Sequence, residues 1–134
     1  VSIVSVRAAL ETALNAMTPS LATAWENQAF TPPVTTTAYQ RAFLLLARPD
    51  NQVIGSAYFE QGIFQIDLMY PQGAGSAAAA ARAQLLRTTF IRGSSFASGG
   101  VTVRISDTPE IMPGMNEDGR FRITVKIRFF AQIS

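Results

Sequence analysis

Histidine and cysteine are both missing from the 134 residues. Most of the side chains that do chemistry near neutral pH are therefore absent. There is no imidazole to take a proton or hold a transition metal, and no thiolate to attack, ligate or form a disulfide. Ser94 and Ser95 stand in a Gly-rich stretch with no histidine to activate them, and the sole lysine, Lys126, belongs to a strand pattern elsewhere. Of the nine carboxylates, Asp107, Glu110, Glu117 and Asp118 fall in one loop region, at a spacing unlike that of a calcium-binding loop. They read as a solvated acidic loop. The stretch Gly73-Ala74-Gly75-Ser76-Ala77-Ala78 fits the dinucleotide-binding turn in form, lying between a strand and a helix. No acidic residue occurs between Asp67 and Asp107 to meet a ribose hydroxyl ~20 residues on. It reads as a plain turn. The expectation is no enzyme, no catalytic residue, no cofactor and no metal.

Charge is informative in one place. Arg120, Arg122, Lys126 and Arg128 recur at period two along the last strand, opposite Phe121, Ile123, Val125, Ile127 and Phe129. At ~3.4 Å per residue that is a basic stripe roughly 25–30 Å long. Three readings fit it: a solvated face, a docking surface for acidic protein, or a salt-dependent phosphate-binding surface. Aromatic residues are not interleaved on the basic side, which weakens a single-strand stacking groove. The four basic residues are the candidate protein interface.

The elements that position this stripe follow from periodicity. Val6, Ala9, Leu10, Ala13, Leu14 and Met17 lie on one helical stripe, with Ser2 as the expected cap and Pro19 as the stop. A short strand is expected around Trp25. Residues 31–37, with Pro32-Pro33 and a threonine run, form a loop or arm that a sheet ladder would reject. A buried strand runs through Phe43-Leu44-Leu45-Leu46, and Pro49-Asp50-Asn51 is turn chemistry. The next strand, residues 56–70, puts Phe64, Ile66, Leu68 and Tyr70 on one face and Gln65 and Asp67 on the other, with Gly62 marking a bulge or bend. A second helix covers residues 76–91. Residues 93–100 read as a flexible connection, Val101, Val103 and Ile105 as a short strand, and the segment with Pro109, Pro113 and Gly114 as a loop. Strands with one polar face predict an α+β fold: a mostly antiparallel sheet with two helices packed on one face, plus extended loops. One domain, residues 1–134, is expected.

Composition adds two constraints. Apolar residues make up 48% and charged residues only 15%, low against ~25% in ordinary domains, so either part of the surface is covered by partners or a monomer carries many Ser, Thr, Gln and Ala outside. The net charge of +2 is too small to argue nucleic-acid binding alone. No apolar run approaches the ~20 residues of a membrane span, so the chain reads as soluble, unprocessed and without a membrane partner.

Several stretches taken in order resemble the phage tail terminator-like family of long non-contractile tails. They are Val6-Arg7-Ala8-Ala9-Leu10-Glu11; Thr23-Ala24-Trp25-Glu26-Asn27 followed by Phe30-Thr31-Pro32-Pro33; and Tyr39-Gln40-Arg41 with Leu44-Leu45. They continue with Pro49-Asp50-Asn51, Glu60-Gln61-Gly62-Ile63-Phe64-Gln65-Ile66-Asp67, Tyr70-Pro71, Gly99-Gly100-Val101-Thr102-Val103 and Ile127-Arg128-Phe129-Phe130. The resemblance implies an α+β virion subunit, assembled in the host cytoplasm. It implies a ring, a hexamer in expectation, on the head-proximal end of the tail tube. Such a ring ends tube polymerisation and offers a joining surface to the head. The implied partners are further copies of the chain, the tail tube protein and the head–tail connector or stopper protein. Genomic DNA would pass through the lumen without specific binding. Another neck or tail-completion protein is the nearest alternative, and a nucleic-acid-binding module using the basic last strand is the alternative from another class. The family carries no catalytic motif.

Overall fold

In a computed structural model, residues 3–52 and 54–133 are described. The order is α1 (Ile3–Asn15), β1 (Ala22–Ala24), β2 (Tyr39–Leu46), β3 (Tyr58–Pro71), α2 (Ala77–Thr89), β4 (Ser95–Ser98), β5 (Val101–Ile105), β6 (Glu110–Ile111), β7 (Met115–Glu117) and β8 (Arg120–Ile133). The eight strands form one sheet in the order β1-β2-β3-β8-β5-β4, with β6 and β7 also laid along β8. All pairings are antiparallel except β1 with β2. This is the α+β architecture expected from the alternating strands.

The spine is the β3–β8 pair, in continuous register from Tyr58 opposite Ile133 to Pro71 opposite Arg120. On its other side β8 meets β7, β6 and β5 in turn. The last strand is thus paired on both sides, and its alternation sorts residues cleanly. Ile123, Val125, Ile127, Phe129, Ala131 and Ile133 go inward and are buried. They join Phe64, Ile66 and Leu68 of β3, Val101, Val103 and Ile105 of β5, Val6, Leu10 and Leu14 of α1, and Ala83 and Leu86 of α2 in a single core. Both helices therefore cover the same face of the sheet. The other face carries no helix and is called the open face below.

Several local expectations are corrected. The expected Ser2 cap lies outside the described residues, and α1 stops at Asn15, ahead of Pro19. The strand expected around Trp25 is β1, and it ends one residue earlier, with Trp25 packed against the core. Gly62 is no bulge: it sits in unbroken register with Leu46 on one side and Phe129 on the other. Its need for glycine comes from crowding, since a Cβ there would run into the carbonyl oxygen of Leu45. Residues 93–100 are a hairpin arm, not a flexible connection. β4 pairs with β5 around a turn in which Gly99 and Gly100 take φ of +57° and +81°, and Phe96 stacks on Phe90 at 5.2 Å. The loop with Pro109 and Pro113 contains β6 and β7. These strands have two and three residues, too few for a period-two pattern to register.

Candidate protein interface

On the open face β3 and β8 present Ile63 opposite Arg128, Gln65 opposite Lys126, Asp67 opposite Thr124 and Met69 opposite Arg122. β2 adds Arg41 beside Asp67, Phe43 beside Gln65 and Leu45 beside Ile63. β5 brings Arg104 opposite Phe130. The basic row is therefore set among apolar side chains. Leu45 is 46% exposed, and Phe43, Ile63 and Phe130 are half-buried.

The four sequence-predicted residues do not share one environment, and Arg120 is the correction. Its side chain is buried, 4% exposed. Its guanidinium donates to the carbonyls of Thr37 at 2.6 Å, Pro33 at 2.6 Å and Val34 at 3.0 Å, and its carbon lies 4.6 Å from the centre of the Tyr39 ring. The Pro-Pro arm folds back over this end of the open face. Phe30 lies 5.4 Å from Tyr39, and Tyr39 and Met69 become buried apart from the main core. Arg120 therefore holds the arm and offers no charge to a partner. Alternation alone placed it on the right face but not under the arm.

The other three remain within reach of solvent. Arg122 donates to Glu117 at 2.8 Å and contacts the Met115 sulfur. Arg128 pairs with Glu110 at 3.1 Å, both partners well exposed. Lys126 is half-buried and, among the described residues, has no ion pair. Glu110, its neighbour across the β6–β8 ladder, turns to Arg128 instead.

Arg122 belongs to a chain of charges that sequence reasoning did not assemble. Arg41 donates to Asp67 at 2.8 Å and meets Glu117 at 3.1 Å, so Asp67, Arg41, Glu117 and Arg122 link β3, β2, β7 and β8. Asp67 also accepts from Thr124 at 2.8 Å and Gln65 at 3.3 Å. Burial opposes the charge on Arg41, but the Asp67 hydrogen bond and charge, with Glu117 behind them, outweigh it and raise the Arg41 pKa. The signal in the sequence was Asp67, an acid beside Gln65 on the polar side of β3.

Along the edge of the sheet a second carboxylate does structural work. Beyond β1, the Leu44 N–H of β2 donates to Glu26 at 2.6 Å, and Arg7 of α1 donates to the same oxygen at 3.0 Å. Burial pushes the Glu26 pKa up, but the Leu44 and Arg7 hydrogen bonds, with the Arg7 charge, win and lower it. The edge is closed there by a side chain in place of a strand.

Among the described residues no cluster of three or more Asp, Glu, His or Cys could hold a metal ion, and no helix is long and apolar enough to cross a membrane. The Gly73-to-Ala78 turn leads into α2 with no side-chain cap from Ser76. The open face is half-buried and partly apolar, and its lysine has no ion pair among the described residues.

No curated protein sequence matches the chain. One solved structure has a TM-score of 0.81 and 28% identity, covering 99% of this chain and 97% of that one. The model of the family described as phage tail terminator protein matches residues 5–129, nearly the whole described fold. The chain belongs to the phage tail terminator protein family and is a structural component of a phage tail.

Proposed function

We propose that this chain forms a closed ring, a hexamer, on the head-proximal end of the tail tube of a long non-contractile tail. There it stops tube polymerisation and presents a surface to the head's connector or stopper protein. The observation that carries this reading is the family match over residues 5–129. Each subunit acts as one non-catalytic domain, assembled in the host cytoplasm and retained in the virion. A ring needs two different side faces that close by rotation, together with axial contacts. The two ends of the β3–β8 spine supply elements for the latter. The Arg120-held arm bears Val34, 70% exposed, and at the opposite end the β2–β3 loop bears the fully exposed Ile54.

Arg122, Lys126 and Arg128 are the proposed docking residues on the open face, while Arg120 holds the arm. A nucleic-acid surface is the weaker alternative. Of the four basic residues, one is buried and two already have carboxylate partners. DNA in the lumen then passes without specific binding. Phage made without this chain should show overlong, headless tails by electron microscopy. Tails of normal length that carry heads would contradict the proposal.

A further inference from the structure

One groove of the open face lies beside Lys126. It measures about 440 Å³ and opens between the β6–β7 loop and the centre of the sheet, walled by Met112, Pro113 and Met115 on one side and by Gln65, Lys126 and Arg122 on the other. Met115 is 52% exposed. Thioether side chains are soft and adaptable, suited to receiving an apolar side chain of variable shape. Lys126 stands half-buried in the wall and, among the described residues, has no carboxylate partner.

We infer that this groove receives an extended segment of a different tail or neck protein that carries a single acid, with one apolar side chain against Met112 and Met115 and the carboxylate on Lys126. The inference rests on the proposed use of the open face as a docking surface and names the chemistry of its partner.

Three observations narrow the occupant. A polyanion such as nucleic acid needs several free cations together, whereas Arg122 is committed to Glu117, whose carboxylate would repel phosphate. One unpaired ammonium in an apolar wall matches a single carboxylate. A second copy of this chain is a poorer fit, because none of its exposed large apolar residues stands within two sequence positions of an acid that is outside an ion pair among the described residues. Asp107 and Asp118 are exposed and outside any ion pair among the described residues, but they are flanked by Ser106 and Thr108, and by Glu117 and Gly119. Asp50, the acid nearest Ile54 in the chain, stands four positions away and accepts from Gln52 at 2.8 Å.

The sequence makes the test unusually direct, since Lys126 is the only lysine. Intact particles are treated with a zero-length carbodiimide cross-linker, which joins an amine to a carboxylate it touches, and the peptides are read by mass spectrometry. The expected result is a Lys126 cross-link to Asp or Glu of a different virion protein, with Lys126 acetylation suppressed in particles relative to the free chain. In parallel, Lys126→Glu should lower recovery of joined particles by at least about tenfold while the free chain's melting temperature stays put, and Lys126→Arg should retain joining. A cross-link only to Glu110 of the same chain or to a second copy overturns the inference. So does equal acetylation in particle and free chain, or protection of the free chain by added DNA. If imaging finds the ring at the tail end and Lys126 stays reactive, this inference alone fails. If the chain is absent from the tail, the functional reading fails with it.

Discussion

The Arg120 guanidinium donates to the Pro33 carbonyl at 2.6 Å, joining the first residue of the last strand to an arm 87 positions earlier. The same guanidinium takes the Val34 and Thr37 carbonyls, so one side chain shapes a segment that has no core of its own. Arg120→Ala leaves three backbone acceptors without their donor and should cost about 2–4 kcal/mol in urea denaturation. Hydrogen exchange should rise through residues 33–37. Arg120→Lys keeps the charge but loses the fork, and should fall between. The exposed Arg128–Glu110 pair gives the contrast: Arg128→Ala should change stability by less than about 1 kcal/mol. Equal costs at the two positions would contradict the assignment of Arg120 to the arm.

Gly62 tests the crowding between β2 and β3. A methyl at this position meets the Leu45 carbonyl oxygen, which belongs to backbone and cannot swing away. Gly62→Ala should therefore lower stability by roughly 1–3 kcal/mol despite the usual gain from replacing glycine in a strand. A thermal melt with unchanged or higher midpoint would show that the sheet absorbs the methyl freely.

Much of this was legible in the chain and part was not, for physical reasons. Ile123, Val125, Ile127 and Phe129 alternate over a long strand paired on both sides, so their pattern reported both strand and inward face. The helices were equally plain. β4 was hidden because Ser, Ala and Gly around Phe96 look like linker, and its order comes from β5 and from Phe90. Alternation also says which way Arg120 points but not what lies on top of it, since the covering arm is remote in sequence. The unpaired state of Lys126 was hidden likewise, because it depends on Glu110 choosing Arg128.

Acid sensitivity should report on Glu26. Its pKa is depressed in the fold, so the stabilisation from its bonds to Leu44 and Arg7 is fully present above the ordinary carboxylate value of 4.5 and is lost as pH falls through the lower folded value. Below pH 4.5 the urea midpoint of the wild type should fall more steeply than that of Glu26→Gln, whose amide carbonyl still accepts the Leu44 N–H. Parallel curves for the two would reject the edge-closing role of the Glu26 charge.

Arg82 predicts a gain. It is buried on α2 and donates to the Pro19 carbonyl, while its Nε and Nη2 find no partner among the described residues. Burial lowers its pKa against the smaller opposing effect of Tyr70. A buried charge without a carboxylate is costly, so Arg82→Met, similar in reach and apolar, should raise stability by about 1 kcal/mol in chemical denaturation. A loss of that size would mean that the Pro19 contact outweighs the desolvation.

The most direct measurement of the central claim is a cryo-electron microscopy reconstruction of the tail end nearest the head. The account predicts a closed six-fold ring of this chain seated on the last tube ring, with the open face of each subunit against another virion protein. A two-fold dimer, an open face left in solvent, or the chain's absence from that end of the tail would contradict it.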